Sequence, residues 1–119
     1  MVIFYQLDVS EEVGKRFGRL DVLVNNAAIL YDTWQTTVDA DMKVVEQAII
    51  TNLFGPWRLS QAFIPMMKTN NYGRIINASS LGGSLHLMNH GGTPAYSITK
   101  AALNALTRKL AAELVNTAY

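Results

Sequence analysis

A phenol and a primary amine four positions apart are the residues of this chain best suited to chemistry: Tyr96 and Lys100, in the stretch Tyr96-Ser97-Ile98-Thr99-Lys100. On a helix that spacing stacks both side chains on one face. A free phenol titrates near pH of about 10 and is a poor acid or base at neutrality, but a cation within a few ångströms favours its ionised form. Such a pair could pass a proton to or from an oxygen. The same spacing is also common on solvated helix faces, where it carries no chemistry. Other polar residues have local uses as well as chemical ones. Asp8 can cap a following helix, Asn25-Asn26 can make a turn, and Ser79-Ser80 can open a helix. His86 and His90 lie four apart in a glycine-rich loop without a third ligand, so no metal is expected there.

These residues need elements to hold them. Val2 to Val9 is rich in β-branched and aromatic residues and reads as a strand ending on Asp8-Val9. Ser10 to Arg19 has room for at most two helical turns. Leu20 to Val24 is a near-continuous apolar run, the mark of a parallel strand buried on both faces, and it ends in Asn25-Asn26-Ala27-Ala28. Tyr31 to Thr37 is a loop carrying Trp34. From Val38 the period becomes helical, with Met42, Val45, Ala48 and Ile49 on one stripe. Thr51 to Pro56 interrupts this helix, and Leu59, Ala62, Phe63 and Met66 resume it. Pro56 has no N–H, so the carbonyl of Asn52 loses its usual partner and a kink is expected there. Pro65 is expected to interrupt the helix again.

Tyr72-Gly73-Arg74 turns the chain into a third strand, short and expected to be buried, Ile75 to Ala78, with Ser79-Ser80 at its carboxyl end. Leu81 to Gly92, with four glycines, reads as a flexible loop in which Leu85, Leu87 and Met88 form an apolar lip. Thr93 is expected to cap a last helix starting at Pro94, with Leu103, Leu106, Leu110 and Leu114 on one side. Strand, crossover, strand, long helix, strand, helix is an α/β pattern with a parallel sheet, in which ligands bind beyond the carboxyl ends of the strands.

Composition narrows the classes. One domain at most fits in 119 residues, half of them hydrophobic, with a net charge of +1 that suggests neither nucleic acid nor an anionic membrane as partner. There is no cysteine, hence no disulfide framework and no thiolate metal site. Met1 to Tyr5 is too short for a signal-peptide core, and no apolar run approaches a membrane span. A soluble, cytoplasmic protein is expected.

Five of these stretches together resemble the short-chain dehydrogenase/reductases, NAD(P)-dependent enzymes on a Rossmann-like sheet. They are Leu7-Asp8-Val9, Asn25-Asn26-Ala27-Ala28, Asn52 with Gly55, Gly73 through Ser80, and Tyr96 through Lys100, in order along nearly the whole chain. The resemblance implies an α/β fold, a partial Rossmann-like three-layer α/β/α arrangement with a short parallel sheet, over a single domain from 1 to 119. It implies carbonyl reduction or alcohol oxidation on a small molecule, with NAD or NADP as cofactor. Tyr96 would be the acid/base, and Lys100 would assist it and hold the nicotinamide ribose. Ser80, the last serine before the glycine-containing loop, would bond the substrate oxygen, and Asn52 would anchor a proton-relay water. Asp8 and Val9 would meet the adenine, and Asn26, Ala27 and Ala28 would back the cofactor. The two long helices would join copies into a homo-oligomer.

The departures are equally informative. The family's glycine-rich phosphate loop and first strand have no counterpart, nor does the second strand, whose end normally chooses between NAD and NADP. The crossover from Val9 to Leu20 holds ten residues, where parallel crossovers need a dozen or more. A central fragment is therefore expected, its Val2 to Leu7 strand filling the vacancy beside Leu20 to Val24. Two functional classes remain open: an oxidoreductase, or a truncated non-catalytic remnant serving as a binding or dimerisation module.

Overall fold

Two four-residue strands run parallel, β1 at Val22–Asn25 and β2 at Arg74–Asn77, with Leu23 opposite Ile75 and Asn25 opposite Asn77. The computed structural model describes residues 12–25, 31–78 and 91–114. The expected Val2 to Val9 strand and its placement lie outside these residues. So do Asp8, Val9, Asn26, Ala27, Ala28, Ser79, Ser80 and the 81–90 stretch with His86 and His90. A short helical stretch covers 12–17, and the longer helices are α1 at Met42–Ile49, α2 at Gly55–Thr69 and α3 at Pro94–Leu114, with a π-helical turn at Ile50–Phe54 joining the first two of these. This is the α/β architecture expected. Among the described residues no helix is long and apolar enough to cross a membrane.

The sheet differs from expectation in one respect. An apolar run such as Leu20 to Val24 is expected to be buried on both faces, yet Val22, Val24 and Ile76 are 46%, 55% and 52% exposed. The reason lies in what packs where. A bond from Asn77 Nδ2 to Thr107 Oγ1 at 3.0 Å ties α3 to the face bearing Asn77, and its alternate-residue neighbours share that side. A helical layer on the opposite face is not among the described residues. Between the sheet and the helices, and between the helices themselves, the core is formed by Ala48, Phe63, Met67, Ala95, Leu103 and Leu106.

Capping decides where the helices begin and end. The helical pattern is expected from Val38, but the helix starts at Met42 because Asp41 caps it, its carboxylate accepting the Lys43 N–H at 2.9 Å. Val38 lies outside the helix and is 94% exposed. The interruption expected at Asn52 is the π turn, in which the Gly55 N–H reaches back five residues to the Ile50 carbonyl. Pro56, unable to donate to residue 52, supplies the cause. Pro65, by contrast, does not interrupt α2, which runs on to Thr69. That helix ends in a Schellman motif: the Tyr72 N–H bonds the Met67 carbonyl, the Asn71 N–H bonds that of Lys68, and Asn71 takes a left-handed φ of 58°.

Gly73 then lets the chain pass close to α2. A methyl group placed there would lie 2.7 Å from Met67 Cβ, and Met67 is fully buried with nowhere to retreat. Gly73→Ala is expected to destabilise the fold by about 1–3 kcal/mol through overpacking. A urea midpoint unchanged from the parent would show that the turn relaxes freely.

Candidate active site

The amino end of α3 carries the phenol and the amine, and three other segments converge on it. The helix starts at Pro94 as expected, but Thr93 is not its cap. Thr93 sits at a φ of +47°, unusual for a β-branched residue, and its hydroxyl lies against the Gly92 carbonyl and the Ser97 hydroxyl. The cap comes from 63 positions away. Asp32 accepts the Ala95 N–H at 2.9 Å and the Tyr96 N–H at 3.0 Å, one on each carboxylate oxygen. Two of the orphan donors of the first turn are thereby met by a negative charge at the positive end of the helix.

Asp32 is itself fully buried and firmly held. The Gln35 side-chain amide donates to it at 2.9 Å, and Gln35 Oε1 accepts the Asp41 N–H at 2.7 Å, linking the start of α1 to the start of α3. The segment is pinned again by the Thr36–Gly92 bridge and by Thr37, whose N–H and hydroxyl both bond the Gly91 carbonyl. Burial would push the Asp32 carboxyl up. The N–H groups of Tyr96 and Ala95 and the Gln35 amide outweigh it and hold the group below its ordinary value. A folded value below the unfolded one contributes stability above the unfolded pKa of about 3.9, and that contribution is lost as pH falls through the folded value. The thermal midpoint is therefore expected to fall as pH drops below about 4, less steeply in Asp32→Asn. Parallel acid arms for the two proteins would refute this.

Lys100, four residues after Tyr96, is 4% exposed, with its Nζ 2.9 Å from the Ala78 carbonyl just beyond the end of β2. The ammonium stands 5.9 Å from the centroid of the Tyr96 ring. Against that ring the Tyr31 ring packs edge-on, 4.8 Å away and at 89°. Asn52, fully buried in the π turn, donates from Nδ2 to Thr99 Oγ1 at 3.2 Å, and Thr99 Oγ1 lies within 2.7 Å of the Ala95 carbonyl and 3.1 Å of that of Tyr96. The ends of the strands are joined to the same helix by a polar chain, from Asn25 Nδ2 to Asn77 Oδ1 at 2.7 Å and from Asn77 Nδ2 to Thr107.

Of the residues proposed from sequence, Tyr96, Lys100 and Asn52 are thus brought to one place, beside the carboxyl end of β2. Asp32, Gln35, Tyr31 and Thr99 are additions. Thr99 is visible in sequence only as the neighbour of Lys100. Asp32 has no local signal at all, since its partners lie on another element.

The family described as short chain dehydrogenase matches residues 6–118. An uncharacterised oxidoreductase of Thermotoga maritima is 39% identical over 104 residues, which are 84% of this chain and 38% of that protein. The NADPH-bound carbonyl reductase from chicken fatty liver superposes with a TM-score of 0.84 at 32% identity, over 96% of this chain and 50% of its own. An NAD+-bound xylitol dehydrogenase does so with a TM-score of 0.83 at 27% identity, over 95% of this chain and 42% of its own. The chain accordingly spans half or less of the length of each protein it resembles here. With a buried lysine beneath a helix-borne tyrosine at the end of a parallel strand, and a family match running almost from end to end, this chain belongs to the short-chain dehydrogenase family.

Proposed function

We propose that the chain is the central part of an NAD(P)-dependent oxidoreductase, a single partial Rossmann-like domain that reduces carbonyls or oxidises alcohols of small molecules. One observation carries this most directly: the Lys100 ammonium is buried beside the Tyr96 ring and fixed to the strand end by the Ala78 carbonyl. An ammonium has three donors, so the bond to Ala78 leaves capacity for two more. A phenol and an ammonium side by side suit the vicinal hydroxyls of a ribose, so the residues present fit the nicotinamide end of the cofactor. When bound, the nicotinamide supplies or accepts the hydride. Tyr96 gives its phenolic proton to the carbonyl oxygen on reduction, or takes the alcohol proton on oxidation. Lys100 assists from beside the phenol and holds the ribose hydroxyls. Asn52, bonded to Thr99 on the helix of Tyr96 and Lys100, anchors the water that returns a proton towards Lys100. Ser80 bonds the substrate oxygen, while Asp8, Val9, Asn26, Ala27 and Ala28 meet the rest of the cofactor.

The test is saturation-transfer NMR of NADH and NADPH with the 119-residue chain. Transfer to the nicotinamide ribose protons is expected in the parent and its loss in Lys100→Met. Equal transfer in both would sink the assignment of Lys100.

A second function, as a non-catalytic assembly module, has its own support. Ile50, Phe54 and Trp57 stand partly exposed, and an apolar groove between α2 and α3 is lined by Leu53, Trp57, Ala102, Ala105 and Leu106. Homo-oligomers through these two helices would cover it, and sedimentation velocity separates a self-associating chain from a monomer.

A further inference from the structure

We propose that Asp32 is a positioning residue for Tyr96, its carboxylate fixing the first turn of α3 so that the phenol keeps its place between the Tyr31 ring and the Lys100 ammonium. Three observations converge. The carboxylate spans the amides of Ala95 and Tyr96, so one of its two bonds is made to the backbone of the residue whose ring matters. The residue just before it, Tyr31, touches that same ring, which places two consecutive side chains of one segment on Tyr96, at its backbone and at its ring. The segment is in turn anchored, by Gln35 on one side and by the Thr36–Gly92 bridge and the Thr37–Gly91 bonds on the other.

The need for such a clamp follows from the chain preceding the helix. Thr93 occupies a left-handed conformation that a β-branched residue rarely adopts, and such a turn relaxes unless its surroundings over-determine it. Thr93 also leaves the Ala95 and Tyr96 N–H groups to another acceptor. Relaxation of this turn would rotate Tyr96, only two residues inside the helix, before it disturbed Lys100, which the Ala78 carbonyl holds independently. Asp32 therefore acts on the phenol and leaves the amine where it is. The purpose of that placement rests on the acid/base role proposed above for Tyr96; the placement itself does not.

The experiment is NMR on the 119-residue chain with labelled tyrosine and backbone amides, comparing the parent with Asp32→Ala and Asp32→Asn. Tyr96→Phe assigns the Tyr96 ring signals. In Asp32→Ala the Ala95 and Tyr96 amides are expected to exchange at least about tenfold faster, as the loss of about 1.4 kcal/mol of local protection implies. The Tyr96 ring signals should move and the cross-peak between the Tyr31 and Tyr96 rings should vanish, while the amides of β1 and β2 keep their shifts. Asp32→Asn, nearly the same shape and with one acceptor oxygen left, should lie between, and it remains readable if the alanine variant does not fold. A lower thermal midpoint with unmoved Tyr96 ring signals and an intact cross-peak would overturn the proposal and leave Asp32 a stabilising cap only. These outcomes do not depend on cofactor contact, which Lys100→Met tests separately.

Discussion

Given NADH or NADPH and a panel of aldehydes and ketones, the 119 residues by themselves are expected to show little or no turnover. The acid/base end is assembled: Tyr96 beside Lys100, with the amine fixed at the strand end. Proton transfer is only part of the barrier, however. A dinucleotide is held largely through its pyrophosphate, on backbone N–H groups of a glycine-rich turn that opens a helix. The glycines of this chain stand in pairs at 82, 83 and 91, 92 or singly, and a Gly-x-Gly-x-x-Gly spacing does not occur among them. Adenine and ribose could be touched while the pyrophosphate lay in water, and the nicotinamide would then wander from attack distance. Positioning accounts for as much as ~7–11 kcal/mol of rate enhancement, so its loss can bring a competent acid/base pair below detection. Stopped-flow and steady-state assays of cofactor oxidation decide the matter. Tight binding with turnover that disappears in Tyr96→Phe would mean that another segment or a second copy supplies the cradle.

Phe63→Ala is the second change with a large expected effect. Phe63 is 2% exposed and shares the core with Met67, Leu103 and Leu106, in a chain with few other buried apolar side chains among its described residues. Removing a buried phenyl ring costs about 3–5 kcal/mol through lost transfer energy and the cavity left behind. Domain stabilities run at roughly 5–15 kcal/mol, so the variant should be close to unfolded at 25 °C. Circular dichroism in a urea series measures it. A loss under about 1 kcal/mol would show that the helices collapse into the space. Leu110, half-buried towards the far end of α3, makes a suitable control.

Much of this architecture could be read before any coordinates because it is locally encoded. Ile75-Ile76 and Leu23-Val24 could only be short strands between polar ends, and Pro94 could only open a helix. The Tyr96–Lys100 pair depends on helical spacing alone, which is why it was legible. Hydrophobic period alone carries the start of α1 back to Val38, whereas the Asp41 cap decides the boundary. The cap of α3 departs from expectation for a different reason. Thr93 is the right residue type at the right position, but its backbone is left-handed and the acceptor is Asp32, a contact that no window of sequence contains. Exposure of Val22 and Val24 was likewise invisible, because an apolar run says that a strand can be covered on both sides and not whether it is.

The π turn at Ile50–Phe54 has a consequence for the way this chain tolerates changes of length. Such a turn holds one residue more than the α-helical ladder needs, so a single deletion there would let the bonds close as ordinary helix with no break in the chain. The two halves would stay in phase, because a turn widened by one residue still closes a single revolution. The inward positions Ala48, Asn52, Pro56, Ser60, Phe63 and Met67, every three or four residues along one continuous face, would remain on one face. A residue added or removed within α1 or α2, where no surplus exists, would instead turn the inward positions on one side of it by about 100° against those on the other. Changes of length are thus absorbed at the π turn and not in the helices that flank it, and what the surplus residue shapes is the local setting from which Asn52 reaches Thr99.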